Sequence, residues 1–118
     1  MQLSLFDALL STPNKHGVFT DCESINLDKK GIRAEINYAE IRLGEWIASS
    51  SVYLHTQGYG RPLTDGPTSP TKDAAIDKAL NRVKKYIDRT KDITANEFRV
   101  VDSWINNIKD RLHEHQTP

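Results

Sequence analysis

The sequence predicts an α+β fold in which a small antiparallel β-meander is followed by two C-terminal amphipathic helices. Two observations predict it. Apolar and polar residues alternate from Ile32 onwards, and apolar residues recur every three or four positions after Thr71. A chain of 118 residues forms one domain with a modest core. We expect this domain to span residues 18–118, after an N-terminal interaction peptide and linker at residues 1–17.

The segment before the domain is predicted to be either flexible or a short helix. Leu3, Phe6 and Leu10 would form one apolar stripe of a helix packed on the domain, and the same residues suit a free peptide. Residues 11–17 are rich in turn-forming residues and are a predicted linker. Residues 18–28 are weakly patterned and indicate no particular element.

The β-meander is predicted from two runs of residues. Apolar residues of the first run occupy every second position, namely Ile32, Ala34, Ile36 and Tyr38. Beyond Tyr38 the apolar positions shift to Ala39 and Ile41, which predicts a β-bulge or a break between two strands. Gly44 then permits a tight turn into a strand at Trp46–Leu54, which is rich in aromatic and β-branched residues.

A long loop is predicted at residues 56–71, which contain three glycines and three prolines. A loop of this length in a small domain is either functional or mobile. Gly58 and Gly60 flank Tyr59, and glycines permit the close approach of another chain. The guanidinium of Arg61 can hold a phosphate or a carboxylate. Tyr59 and Arg61 are therefore predicted as a possible second set of contact residues.

Two helices are predicted in the last part of the chain. The first begins near Thr71 as its N-cap, and its apolar residues have helical spacing: Ala75, Ile76, Ala79, Leu80, Val83, Tyr86 and Ile87. The second begins at a capping box of Thr94 and Glu97, which Ile93 and Phe98 flank as a hydrophobic staple. Its apolar stripe is Phe98, Val101, Trp104 or Ile105, Ile108 and Leu112. We expect these apolar residues in the core.

Composition argues for a cytoplasmic protein without enzymatic activity. The single Cys22 permits no internal disulfide, which suits a reducing compartment. The apolar residues at positions 1–10 are too few for a membrane span and lack the basic region of a signal peptide. No Ser-His-Asp set, carboxylate pair or cysteine cluster is recognisable in the sequence. We expect no catalytic residues, no metal site and no cofactor.

The net charge of zero conceals a basic segment at residues 72–91, with seven basic and three acidic residues. Arg82, Lys85 and Arg89 lie off the apolar stripe of the first predicted helix. They are possible contacts to phosphates or to an acidic partner, and the alternative is an ordinary solvated helix face. Because the net charge is zero, we expect weak or no binding to duplex DNA, and nucleic acid is not the favoured partner.

The most specific motif lies at the N-terminus, where the sequence reads Gln2, Leu3, Ser4, Leu5 and Phe6. Each buried leucine or phenylalanine contributes about 1.5–3 kcal/mol to binding, part of which the ordering of a flexible tail offsets. The pentapeptide resembles the motif by which bacterial polymerases, repair proteins and replication regulators bind the β sliding clamp. This resemblance covers five residues, matches the family consensus at each, and implies the clamp as partner with micromolar affinity.

These patterns favour a non-enzymatic adaptor or inhibitor that binds the clamp through its N-terminal peptide. Residues 46–87, a strand, a glycine-rich loop and a helix, also resemble small accessory proteins of plasmids and phages. One alternative is therefore a phage- or plasmid-encoded inhibitor of a host defence system, of the anti-restriction or anti-CRISPR type. Another is a small nucleic-acid-binding module that uses the basic helix.

Overall fold

Four β-strands and two helices form the protein in the computed structural model, which describes the backbone of residues 10–116 and the side chains of residues 10–112. The elements are β1 (Glu23–Lys29), β2 (Ile32–Arg42), β3 (Glu45–Tyr53), β4 (Gly58–Gly60), α1 (Lys72–Arg89) and α2 (Ala95–Gln116). The strands pair antiparallel in the order β1-β2-β3-β4. The predicted α+β fold is confirmed.

Tight turns join the first three strands. Lys29 pairs with Ile32, so Lys30 and Gly31 alone connect β1 to β2, with φ of 52° and 84°. Two consecutive positive φ angles are typical of the type I′ turn, whose twist suits a β-hairpin. Most of strand β1 lies in the weakly patterned segment. The pattern is weak because β1 is an edge strand with five of its seven residues exposed.

Both helices pack on one face of the sheet. Helix α1 contacts β3 and β2, and α2 contacts β2 and α1. Between the two layers lies the main core, which includes Ile32, Ala34, Ile36, Tyr38, Val52, Leu54, Ile76, Ala79, Leu80, Val83, Ile87, Val101, Ile105, Ile108 and Leu112. Each fully buried aliphatic side chain contributes about 1.5–3 kcal/mol, so this layer is the main source of stability.

Of the two alternatives predicted near Tyr38, a β-bulge or a break, the break is wrong, because β2 runs without interruption from Ile32 to Arg42. Tyr38 faces the main core, whereas Ala39 and Ile41 belong to a second buried cluster with Phe19, Ile47 and Leu63. Successive residues of a strand point to opposite faces of the sheet. The shift of the apolar positions after Tyr38 therefore marks the place where the buried residues change from one face to the other. The pairing with β3 shifts further along, between Glu40 and Arg42.

The region predicted as a long loop contains the short strand β4. Its three residues pair with Ser51–Tyr53 of β3, with Tyr59 directly opposite Val52. Further along, Trp46 and Ser69 form an isolated bridge. The connection from β3 to α1 is therefore held against the sheet at two places.

The helix starts predicted from the sequence are confirmed. The side chain of Thr71 accepts a hydrogen bond from the backbone N–H of Ala74 at 3.1 Å, as an N-cap does. Thr94 and Glu97 form the reciprocal capping box, in which each side chain accepts a hydrogen bond from the other residue's backbone N–H, at 3.1 and 2.9 Å. Local side-chain chemistry thus fixes where both helices begin.

Leu10, the first described residue, is joined to the sheet. The backbone N–H of Leu10 donates to the carbonyl of Ile41 at 2.8 Å, while its side chain is 55% exposed. Val18 forms a bridge with Thr64. No helix within residues 10–116 is long and apolar enough to cross a lipid bilayer.

A candidate binding groove between strand β4 and helix α1

An open groove of about 590 Å³ lies between the edge strand and the first helix. We call it the β4–α1 groove, and the described residues that line it are Tyr59, Gly60, Arg61, Arg82, Lys85, Tyr86, Arg89 and Thr90. Four of them are cations and two are tyrosines, and no acidic residue is among them. The groove thus brings together two predicted sets of contact residues: the pair Tyr59 and Arg61, and the basic residues of the helix.

Tyr59 is placed by the pairing of β4 with β3. Because it lies opposite Val52, which is buried in the main core, its side chain projects toward the helices. There its ring packs on Tyr86 with 4.8 Å between ring centroids and an angle of 54° between the ring planes. Its hydroxyl shares a 2.7 Å hydrogen bond with the hydroxyl of Ser50. These contacts fix the orientation of the ring.

The glycines beside Tyr59 are required by a close contact on the other face of the sheet. A Cβ atom on Gly58 would lie 2.6 Å from the carbonyl oxygen of Val52 and 2.8 Å from the ring of Tyr53. A Cβ atom on Gly60 would clash with the hydroxyl of Tyr53. The close approach expected at these glycines is therefore made by Tyr53 of the same chain, which leaves Tyr59 and Arg61 to face the groove.

The helix wall of the groove is one face of α1. Arg82, Lys85, Tyr86 and Arg89 are spaced by three and four residues, so their side chains lie along a single stripe. The ion pairs of α1 lie on another face, where Lys84 bonds Asp102 of α2 at 2.8 Å. Helix α2 is thus held on the side of α1 that faces away from the groove.

The cations of the groove are largely available to a ligand. Arg82 donates to the backbone carbonyl of Ala48 at 3.1 Å, which holds its guanidinium beside the sheet. Among residues 10–112, the side chains of Arg61, Lys85 and Arg89 have no carboxylate within 4.0 Å. All three are exposed. The groove therefore carries a concentrated positive charge in a protein with a net charge of zero.

The phenol of Tyr59 stays protonated at neutral pH. Burial raises its pKa, although the hydrogen bond with Ser50 and the positive charges of Arg82 and Arg61 act in the opposite direction. A neutral phenol offers a ring face for stacking and a hydroxyl that donates or accepts a hydrogen bond. The groove combines this aromatic surface with four cationic side chains, so it can bind a ligand that carries both negative charge and flat rings.

The remaining predicted contacts stay predictions. Gln2, Leu3, Ser4, Leu5 and Phe6 lie outside the described residues. Within the described residues, no group of three or more His, Cys, Asp or Glu side chains is arranged to hold a metal ion.

Tyr86, whose helical spacing predicts a core residue, lies in the groove. It is half-buried, packs against the main core with one side and contacts Tyr59 with its ring. Tyr86 lies four residues after Arg82 and three before Arg89, on the same stripe of the helix as these cations. This spacing indicates in the sequence that Tyr86 belongs to the groove.

No protein-family model, no curated protein and no solved structure matches this chain significantly.

Proposed function

We propose that this protein is a non-enzymatic adaptor that binds the β sliding clamp of bacteria through Gln2–Phe6. The observation that carries the proposal is the complete agreement of these five residues with the clamp-binding consensus. The proposed binding places the protein in the cytoplasm, where the clamp acts on DNA. Bound there, the protein would either recruit its folded domain to replicating DNA or compete with polymerases for the clamp pocket.

The way the chain enters the domain supports this arrangement. Leu10 is hydrogen-bonded to Ile41, near the end of β2 that joins β3. The groove is formed by β4, which pairs with the opposite end of β3, and by the second half of α1. The peptide is therefore attached near the β2–β3 turn, whereas β4 borders the groove at the other end of β3. A clamp-bound peptide would leave the groove open to a second ligand.

The proposal is tested by calorimetric titration of the full-length protein into purified clamp. We expect micromolar affinity, about −8 kcal/mol, and up to two copies per ring, because the clamp consists of two identical subunits. Replacing both Leu5 and Phe6 by alanine removes two buried apolar groups and should cost about 3 kcal/mol or more, which would abolish measurable binding.

A matched control is available within the motif. The clamp-binding consensus accepts Ser or Asp at the position of Ser4, so Ser4→Asp should keep the affinity within a few-fold. If the Leu5→Ala/Phe6→Ala variant binds as tightly as the wild type, the motif does not carry the interaction and the proposal fails.

A further inference from the structure

We propose that the β4–α1 groove binds single-stranded nucleic acid, with phosphates on its cations and bases on its tyrosines. This inference goes beyond clamp docking and does not depend on it, because it concerns a different part of the molecule. It rests on two features that occur together in the groove: a row of available cations and a pair of aromatic rings.

The cations form a row, which suits a chain of phosphates better than a single anion. Arg82, Lys85 and Arg89 extend over eight residues of α1, or about 10 Å along the helix axis. Arg61 lies on the opposite wall of the groove. A ligand that neutralises these charges along its length is a polyanion, and its binding would release counterions and weaken with salt.

The two tyrosines distinguish nucleic acid from an acidic protein segment. Carboxylates on a peptide would pair with the cations but would not stack on the rings of Tyr59 and Tyr86. Unpaired bases stack on aromatic side chains irrespective of their sequence, and each stacked base strengthens binding about five- to 150-fold. Tyr86 is half-buried, and its ring is held in place by Tyr59. Nucleic acid uses both features of the groove.

Base stacking on the tyrosines favours single strands over duplexes. In a duplex each base is stacked between its neighbours and cannot stack on Tyr86. A duplex also spreads its charge over a wide surface, whereas this protein has a net charge of zero and gathers four cations in the β4–α1 groove. We therefore expect weak duplex binding and measurably stronger binding to single strands.

The test is fluorescence anisotropy of the full-length protein with a labelled oligothymidylate of about 12 nucleotides, a length within the range that single-strand binding sites occupy. No clamp is present, so the outcome is independent of the proposed docking. The wild type should bind at low salt. The double variant Lys85→Glu/Arg89→Glu should lose at least about tenfold in affinity, and the salt slope should decrease by about 1.4.

Two controls separate a specific groove from general charge. Arg111→Glu changes the charge at an exposed position on α2 outside the groove, so affinity should fall by less than twofold for this single reversal. Tyr86→Phe keeps the ring and should bind like the wild type, whereas Tyr86→Ala should bind about tenfold more weakly. Thermal unfolding of each variant verifies that the domain remains folded.

Three outcomes would overturn the inference. The first is no binding of the oligonucleotide at low salt. The second is equal binding of a duplex of the same length. The third is displacement of the oligonucleotide by polyglutamate at equal charge concentration, together with no effect of Tyr86→Ala, which would assign the groove to an acidic protein partner.

Discussion

Glu97 joins the start of α2 to the loop that leads into β4, and its removal should destabilise the domain. Its side chain is almost completely buried, at 3% exposure. One carboxylate oxygen accepts a hydrogen bond from the backbone N–H of Thr94 at 2.9 Å, and the other accepts one from the backbone N–H of His55 at 3.0 Å. Hydrogen bonds to a charged acceptor each contribute about 1.5–3 kcal/mol.

The variant Glu97→Ala should therefore lose about 3 kcal/mol of unfolding free energy, the sum of two such bonds at the lower end of their range. This loss corresponds to a decrease in Tm of about 10 °C for a domain of this size. Urea denaturation followed by circular dichroism measures the change. Glu97→Gln is the matched control, because an amide oxygen still caps the helix and should retain about half of the stabilisation.

The pH dependence of the same difference gives a second check. Hydrogen bonds from Thr94 and His55 lower the pKa of Glu97 in the folded protein. A lowered folded-state pKa means that the carboxylate stabilises the fold above the unfolded-state pKa and that this stabilisation is lost as pH falls through the folded-state pKa. The difference between wild type and Glu97→Gln should be largest at neutral pH and shrink in acid. A loss below about 0.5 kcal/mol for Glu97→Ala would refute this reasoning.

Three further predictions follow from single contacts. Gly58→Ala should lower the free energy of unfolding by about 1–3 kcal/mol, because the added Cβ would lie 2.6 Å from the carbonyl oxygen of Val52. Urea denaturation that shows the stability of the wild type would contradict this. Burial and a hydrogen bond to Glu23 raise the pKa of Tyr38 to about 12, so Tyr38→Phe should remove one ionisation near that pH from an ultraviolet titration, rather than one near 10. Partial burial raises the pKa of Cys22, so iodoacetamide should alkylate it more slowly at neutral pH than it alkylates free cysteine, and an equal rate would contradict the raised pKa.

The features that the sequence predicted well are local ones. The N-cap at Thr71 and the capping box of Thr94 and Glu97 depend on residues three positions apart, and both are present. Strand β2 was predicted from its alternation, because one side of it is buried in the main core, and β3 was predicted from its aromatic and β-branched residues. Glu97 also accepts a hydrogen bond from the backbone N–H of His55. The capping box does not predict this contact, because the two residues are 42 positions apart.

The features that the sequence did not predict depend on pairing between distant segments. Strand β4 has three residues, two of them glycines, and its position is set only by its register with β3. The same register brings Tyr59 to Tyr86. It thereby joins the predicted pair, Tyr59 and Arg61, to the predicted basic residues of the helix. The continuity of β2 through Tyr38 was missed because the second buried cluster is completed by Phe19 and Leu63, which lie in irregular segments.

The most direct test of clamp docking is competition for the clamp pocket. A labelled clamp-binding peptide from a bacterial polymerase is bound to purified clamp, and the full-length protein is titrated in while fluorescence anisotropy is recorded. Docking through Gln2–Phe6 predicts complete displacement at micromolar protein and no displacement by the Leu5→Ala/Phe6→Ala variant. A labelled peptide that stays bound at saturating wild-type protein, or that the variant displaces equally well, would contradict the proposed function.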